Sequence, residues 1–312
     1  MPTFNLAYLI NKVRKITGRP SQNQLSDSEI KDYINLYYQY DLPEQFKSFN
    51  LKTIYEFETV PNEDRYIFPR ETYFNVETPC YASGYPVGYF QSREQFYRNW
   101  PQLTTSANFA TGTGVAGPYN GVLSSRPIIK RDVLISAFDG GTYLTAQDDG
   151  AGNFVGDVVA GTINYLTGAI SVTWNAAIPI GTPINVKYCP YQASRPLSIL
   201  FYNDTFILRP IPDAVYKMSL QAFVKPTEMF DMTSGSTEVP RLLEWAQLLA
   251  YGASVKIFSD NMDMDSFARI QPLLTEQLAL IERRTMMQIK TQRVDTVYTQ
   301  QNFPSYGLVN YY

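Results

Sequence analysis

The sequence predicts an α+β protein: a helical bundle with an antiparallel β platform and an inserted all-β module, either a sandwich or a small barrel. Three observations carry this. Apolar residues recur at helical spacing near both ends of the 312-residue chain. Between them the periodicity drops to two, in runs broken by Pro and Gly. In the middle, short β-rich runs alternate with Asp-Gly and Thr-Gly turns.

Leu6, Leu9, Ile10, Val13 and Ile16 predict a first helix over 3–17, ended by Gly18 and Pro20. Ser26 with Glu29 three residues on is a capping-box signature, and Asp27 adds negative charge to the first turn. The helix it opens, Ser26 to Tyr40, carries Ile30, Tyr33, Ile34, Tyr37, Tyr38 and Tyr40 around most of its circumference. Such a helix needs cover on more than one side, from the chain's own β-structure or from a neighbouring subunit. After Pro43 the runs 51–60, 64–76 and 84–92 read as strands.

Thr104 to Gly121 is small, polar and glycine-rich and reads as a linker or loop. From Pro127 to Pro190 the runs 128–137, 154–165, 169–176 and 183–190 are separated by Asp139-Gly140-Gly141, Asp149-Gly150 and Thr167-Gly168, predicting the antiparallel module. The main body resumes with two strands, in 198–210 and 215–226, and then a loop to Pro240. A long helix follows from about Pro240, its Ala246, Ala250, Gly252 and Ala253 allowing close approach while Leu242, Trp245, Leu249 and Phe258 supply bulk. Asp265 starts a second helix with Phe267, Ile270, Leu274, Leu278 and Ile281 on one face; Pro272 either bends it or marks an early turn. The predicted organisation is therefore 1–121 (helices and platform), 122–195 (inserted module), 196–290 (remaining platform and helical hairpin) and 291–312 (an extended tail).

Composition narrows the chemistry. Apolar residues make up 45%, but charged residues only 18%, and 24 tyrosines fill part of the difference. Tyrosine suits protein-binding surfaces, though a tyrosine-rich β core has the same composition. Histidine is absent, which removes Ser-His-Asp, Cys-His and most zinc chemistry. Cys80 and Cys189 lie far apart and form neither a disulfide framework nor a metal cluster, compatible with a reducing compartment. A net charge of −3 gives no general attraction to nucleic acid or membrane. There is no apolar run of about 18 residues and no signal-peptide pattern, so a soluble intracellular product is expected.

Gly112-Thr113-Gly114-Val115-Ala116-Gly117 matches the dinucleotide fingerprint by letter, but Pro118 and the polar loop around it prevent a helix from starting there. Asp148, Asp149, Asn153 and Asp157 lack calcium-loop spacing and read as turn residues. Asp263 and Asp265 fit a helix N-cap better than a metal pair. No carboxylate pair stands out as acid and base, so the sequence predicts a non-enzyme with no cofactor and no metal. Arg283, Arg284, Lys290 and Arg293 give the end of the last helix a positive bias, with a solvated face as the default reading. Tyr298, Phe303, Tyr306, Tyr311 and Tyr312 concentrate aromatics in a segment unable to bury them locally, which predicts a tail that orders on a partner.

The segments RKITGRPSQNQLSDSEIKDYINLYYQYDLPEQFKSFNLKT, SREQFYRNWP, PRLLEWAQLLAYGASVKIF and EQLALIERRTMMQIKTQR, in this order, resemble one family: the head-to-tail adaptors (tail tubular protein A, or gatekeeper) of short-tailed bacteriophages. The resemblance covers roughly the first hundred and the last hundred and twenty residues. The central GTINYLTGAISVTWNAAIPIGTPINVKY looks instead like β-modules of phage tail and baseplate proteins.

The resemblance implies a virion protein of the neck, assembled in the host bacterial cytoplasm. Twelve copies would form a ring beneath the portal protein, carry the tail nozzle or tail tube, and continue the channel for DNA ejection without sequence-specific DNA binding. It implies that Thr291 to Tyr312, with Tyr298, Phe303, Tyr306, Tyr311 and Tyr312, docks on the portal. The helix Ser26–Tyr40 would lie in the ring wall, making Tyr33, Tyr37, Tyr38, Tyr40 and Trp245 candidate subunit-interface residues. The module would face outward, where it could hold a tail fibre. The alternative expectation is a tail-associated binding module that recognises a host-surface glycan. A tail glycan hydrolase is a third.

Overall fold

The computed structural model describes residues 4–45 and 49–290. It is a mixed α+β protein with a β-rich module, as predicted. The chain divides into two compact units. The first holds the chain up to Ile54, Arg70–Val76 and the chain from Ala222 onward; the second holds Tyr55–Pro69 and Glu77–Gln221.

The first unit is a helical bundle built from both ends of the sequence. Helix α1 (Leu6–Thr17) is N-capped by the Asn5 side chain, which accepts the Tyr8 N–H, and ends at Gly18 in the left-handed conformation. Arg14 ties α1 to the next helix, bonding Asp27 at 2.6 Å and donating to the Leu25 carbonyl at 2.8 Å. Helix α2 (Asp27–Leu36) opens with the expected capping box: Ser26 Oγ accepts the Glu29 N–H and Glu29 accepts the Ser26 N–H. It then widens into a π turn over Tyr37–Asp41 before α3 (Leu42–Gln45). Pro43 has no N–H to give the ladder, and Leu42 N–H reaches back five residues to the Tyr37 carbonyl.

The second half of the bundle comes from the far end of the described chain. After a 3₁₀ turn at Leu243–Trp245 the chain forms the helix Ala246–Asp260, and Met264–Lys290 forms the last helix. Asp263 accepts the Ser266 N–H and caps the latter, and Pro272 is accommodated inside it. Leu9, Ile34, Tyr37, Tyr38, Trp245, Leu249 and Leu274 share one core.

The second unit contains a two-sheet module and most of a platform sheet, whose strands Lys52–Glu58, Tyr73–Ala82 and Lys217–Val224 each have residues in both units. Strands β1 (Lys52–Glu58), β2 (Arg65–Ile67), β3 (Tyr73–Ala82) and β4 (Tyr85–Phe90) precede α4 (Arg93–Asn99), which is N-capped by Ser92. The module follows: β5 (Thr105–Thr111), β6 (Tyr119–Val122), β7 (Leu134–Phe138), β8 (Tyr143–Asp148), β9 (Phe154–Gly156), β10 (Val158–Ile163), β11 (Ala169–Trp174) and β12 (Pro183–Tyr188). The platform resumes with β13 (Ser198–Tyr202), β14 (Thr205–Arg209) and β15 (Lys217–Val224). The helices Ala246–Asp260 and Met264–Lys290 are α5 and α6.

The platform sheet has the order β1-β15-β3-β4-β13-β14-β2. It is mainly antiparallel, but β13 runs parallel to β4. The run 198–210, expected as one strand, is a hairpin: Asn203 and Asp204 both adopt positive φ, the two-residue turn that suits the strand twist. Phe57, Phe68, Phe201 and Phe206 form an aromatic cluster with centroids 5.0–5.7 Å apart, Phe57 stacked on Phe206 and Phe68 edge-on to Phe201 and Phe206.

The module faces a five-stranded sheet, β5-β12-β7-β8-β9, against a three-stranded one, β10-β11-β6. Trp174, Tyr188, Ile135, Val172 and Val186 are buried between them. Residues 104–121, expected as a linker or loop, belong to this module. Thr105–Thr111 pairs along the whole of β12, and Tyr119–Val122 pairs with β11. Small hydroxyl and amide side chains alternate outward there while Ala107 and Phe109 pack on the core, a pattern too weak in hydrophobicity to read as a strand. The glycine motif 112–117 joins these strands, and a strand rather than a helix follows it.

Candidate functional site

The predicted interface aromatics occupy two different environments. Tyr37, Tyr38 and Trp245 are buried inside the chain itself and offer no surface to a second subunit. Burial of the Tyr37 ring against Gly252 of α5 pushes its phenol far above the ordinary tyrosine value, with Asp41 adding to the effect. Tyr38 accepts the Arg241 N–H at 2.8 Å and meets Trp245 edge-on, at a centroid distance of 6.2 Å. These three are core, and the cover that α2 needs comes from α1 and α5. Tyr33 is half-buried and donates to Asp260 at 2.7 Å, which raises its phenol pKa. Tyr40 alone among them is well exposed, at 55%, with the Lys225 ammonium 5.6 Å from its ring centroid.

Around Tyr40 the outer face of α2 forms a continuous stripe. Glu29, Asp32 and Leu36 lie on α2 at helical spacing, Tyr40 follows in the π turn, and all are exposed. A cleft of about 460 Å³ lies among Arg19, Glu29, Asp32, Tyr33, Leu36 and Asn261. A second, of about 470 Å³, lies among Gln39, Tyr40, Pro43, Arg70, Phe74 and Lys225. Helix α6 carries its own exposed stripe, Arg269, Leu273, Glu276, Leu280 and Arg283, turned away from the buried Ile270, Leu274 and Ile281.

In the second unit a cleft of about 500 Å³ is lined by Trp100, Ile129, Cys189, Tyr191, Arg209 and Pro210. Arg209 is buried against Asp64 at 2.7 Å, and partial desolvation together with the Asp148 carboxylate raises the pKa of Asp132, whose side chain is still exposed. Burial also raises the Cys189 thiol and pushes Cys80 up to about 12, leaving neither as a ready thiolate. Asp148 accepts the N–H groups of Arg131 and Val133 and the Tyr165 hydroxyl, and Asp149 closes an Asx turn on Ala151. The acidic run therefore organises backbone, as the turn reading expected. Among the described residues no group of three or more His, Cys, Asp or Glu could hold a metal ion, and no helix is long and apolar enough to cross a membrane.

No family model matches the chain, and no curated protein matches it. Among solved structures it is similar to a chain of the VP16–VP17 complex, the two major capsid proteins of bacteriophage P23-77. The identity is 12%, the match covers 59% of this chain and 94% of that one, and the TM-score is 0.22. A superposition that loose carries no argument about function.

Sequence reasoning missed the two outer stripes. Leu36, Leu273 and Leu280 look like ordinary helix positions until the buried faces of α2 and α6 are fixed by α5. The signal was present in α6: Leu273 and Leu280 stand one heptad apart, off the Ile270–Leu274–Ile281 face. The tail residues Tyr298, Phe303, Tyr306, Tyr311 and Tyr312 lie outside the described residues.

Proposed function

We propose that the chain is a non-enzymatic virion protein, a head-to-tail adaptor whose copies form a ring between portal and tail nozzle and continue the DNA channel. Twelve copies, portal docking through 291–312 and a neck location follow from the resemblance noted above. The observation that supports the reading is the bundle itself. It is knit from both ends of the sequence around α5, which is buried or half-buried from Ala246 to Phe258. Its last helix leads straight into the aromatic-rich stretch beyond Lys290. A bundle closed on itself in this way suits a rigid wall, and the aromatic sequence beyond Lys290 suits attachment to a partner. Purified chain mixed with portal should give a complex of ring mass; removal of 291–312 should abolish it. Rings that form equally well without those residues would refute docking by the tail.

A second reading rests on one feature of the module. Tyr143 is 75% exposed on the outer face of the five-stranded sheet, 5.1 Å from Phe138 across the β7–β8 pair. An exposed aromatic beside a second ring tilted 52° to it suits contact with a sugar, and this supports a glycan-binding role as the alternative function. Loss of cell-surface glycan binding in Tyr143→Ala, with ring mass unchanged, would support it.

A further inference from the structure

We infer that neighbouring copies meet head to tail, with the outer stripe of α2 on one copy laid parallel against the outer stripe of α6 on the next. This deepens the ring reading and rests on it. Direction comes from contacts inside the bundle. Tyr33 bonds Asp260 at the end of α5, while Tyr37, one turn on, packs on Gly252 nearer its start, so α2 runs antiparallel to α5. Helix α6 returns from α5 through only Asn261–Asp263 and is antiparallel to it as well. Hence α2 and α6 run the same way, each against α5, and begin at the same end of the bundle.

A copy rotated about an axis along the bundle keeps these levels, so residues at equal height face one another. From the shared end, α2 presents Asp32, then Leu36, and the π turn that follows presents Tyr40 with Lys225 beside it. Helix α6 presents Arg269, then Leu273, then Glu276 and Leu280. Asp32 then stands opposite Arg269, Leu36 opposite Leu273, and Lys225 opposite Glu276. These two charged levels are opposite in sign and the apolar level matches, while one turn nearer the shared end Glu29 faces Asp265 at like sign. Glu29 adds negative charge on the Arg269 side, while Lys31, 3.7 Å from Asp32, and Arg19 in the adjoining cleft partly offset it. Two different patches in contact make a heterologous interface, which closes into a ring when the rotation per copy divides the circle.

The test is a charge swap in the full chain, read as assembly mass at rising concentration and on portal. Asp32→Arg and Arg269→Asp should each weaken association about tenfold or more, with unchanged melting of the single chain. The double variant Asp32→Arg/Arg269→Asp should recover most of the loss, and Leu273→Asp should abolish assembly. Rings that form normally in both single variants would overturn the pairing while leaving the adaptor reading intact. A chain that never leaves the monomer, even with portal, would overturn both. Loss in the single variants without recovery in the double would also overturn this register.

Discussion

The Tyr37 ring lies where a side chain at position 252 would stand, so a Cβ on Gly252 would overlap it. The glycine is set by this neighbour and not by backbone conformation, since it sits inside α5. Gly252→Ala should therefore destabilise the bundle by roughly 1–3 kcal/mol, despite the gain of about 1 kcal/mol in helix propensity. Tyr37→Leu makes room at the cost of a cavity, so the double variant should lose less than the two singles combined. Thermal melts of the four proteins measure it. Additive losses would mean that the ring and the glycine do not share this space.

The sequence reported α5 well because its small residues had no use other than close packing. It reported the N-cap of α2 because a capping box is a local contract between two side chains, Ser26 and Glu29. It could not report the π turn, which depends on Pro43 denying a hydrogen bond within an otherwise regular helix. Nor could it assign 104–121 to the module. The strand character of β5 comes from its pairing with β12 and not from its own side chains. The candidate interface split the same way: aromatic content found the belt on α2, but only the fold separates Tyr37 and Tyr38 in the core from Tyr40 at the surface.

The buried pair Asp64–Arg209 offers a second test. Arg209 Nη1 donates to Asp64 Oδ2 at 2.7 Å, and both side chains are almost fully enclosed. Removing one partner strands the other: Arg209→Met should cost about 3 kcal/mol, limited by Arg65, whose Nε lies 3.9 Å from Asp64. Arg209→Met with Asp64→Leu should cost less than Arg209→Met alone, since no buried charge is then left unpaired. Urea midpoints of the two variants decide it, and a double variant worse than the single would contradict the account.

Alkaline pH should weaken the second unit in a defined window. Burial pushes Cys80 up to about 12 from 9.0 and Tyr66 up to about 12 from 10.0. The folded state holds these protons more tightly than the unfolded chain. Their contribution is thus complete below about pH 9 and is lost as pH rises toward 12. Urea midpoints should fall between pH 9 and 11, and more gently in Cys80→Ala. Cys80 should also resist thiol reagents at pH 8 until the chain is denatured. Rapid labelling of the native protein at Cys80 would count against its burial.

The revised module boundary makes two deletions differ. Removing 122–195 takes away β11 and β12, the partners of β6 and β5, and leaves those strands with Phe109 and Tyr119 uncovered. Unpaired strand edges with exposed aromatics aggregate, so this variant should be insoluble. Replacing 104–190 with a short Gly/Ser linker removes both sheets and their shared core together. The platform hairpin β13–β14 keeps its pairing to β4 and β2, so this variant should remain soluble. If the chain is an adaptor, the second variant should still form rings with portal; if the module carries the function, it should bind neither glycan nor cell. A soluble 122–195 deletion alongside an insoluble 104–190 replacement would show that β5 and β6 belong to the platform after all.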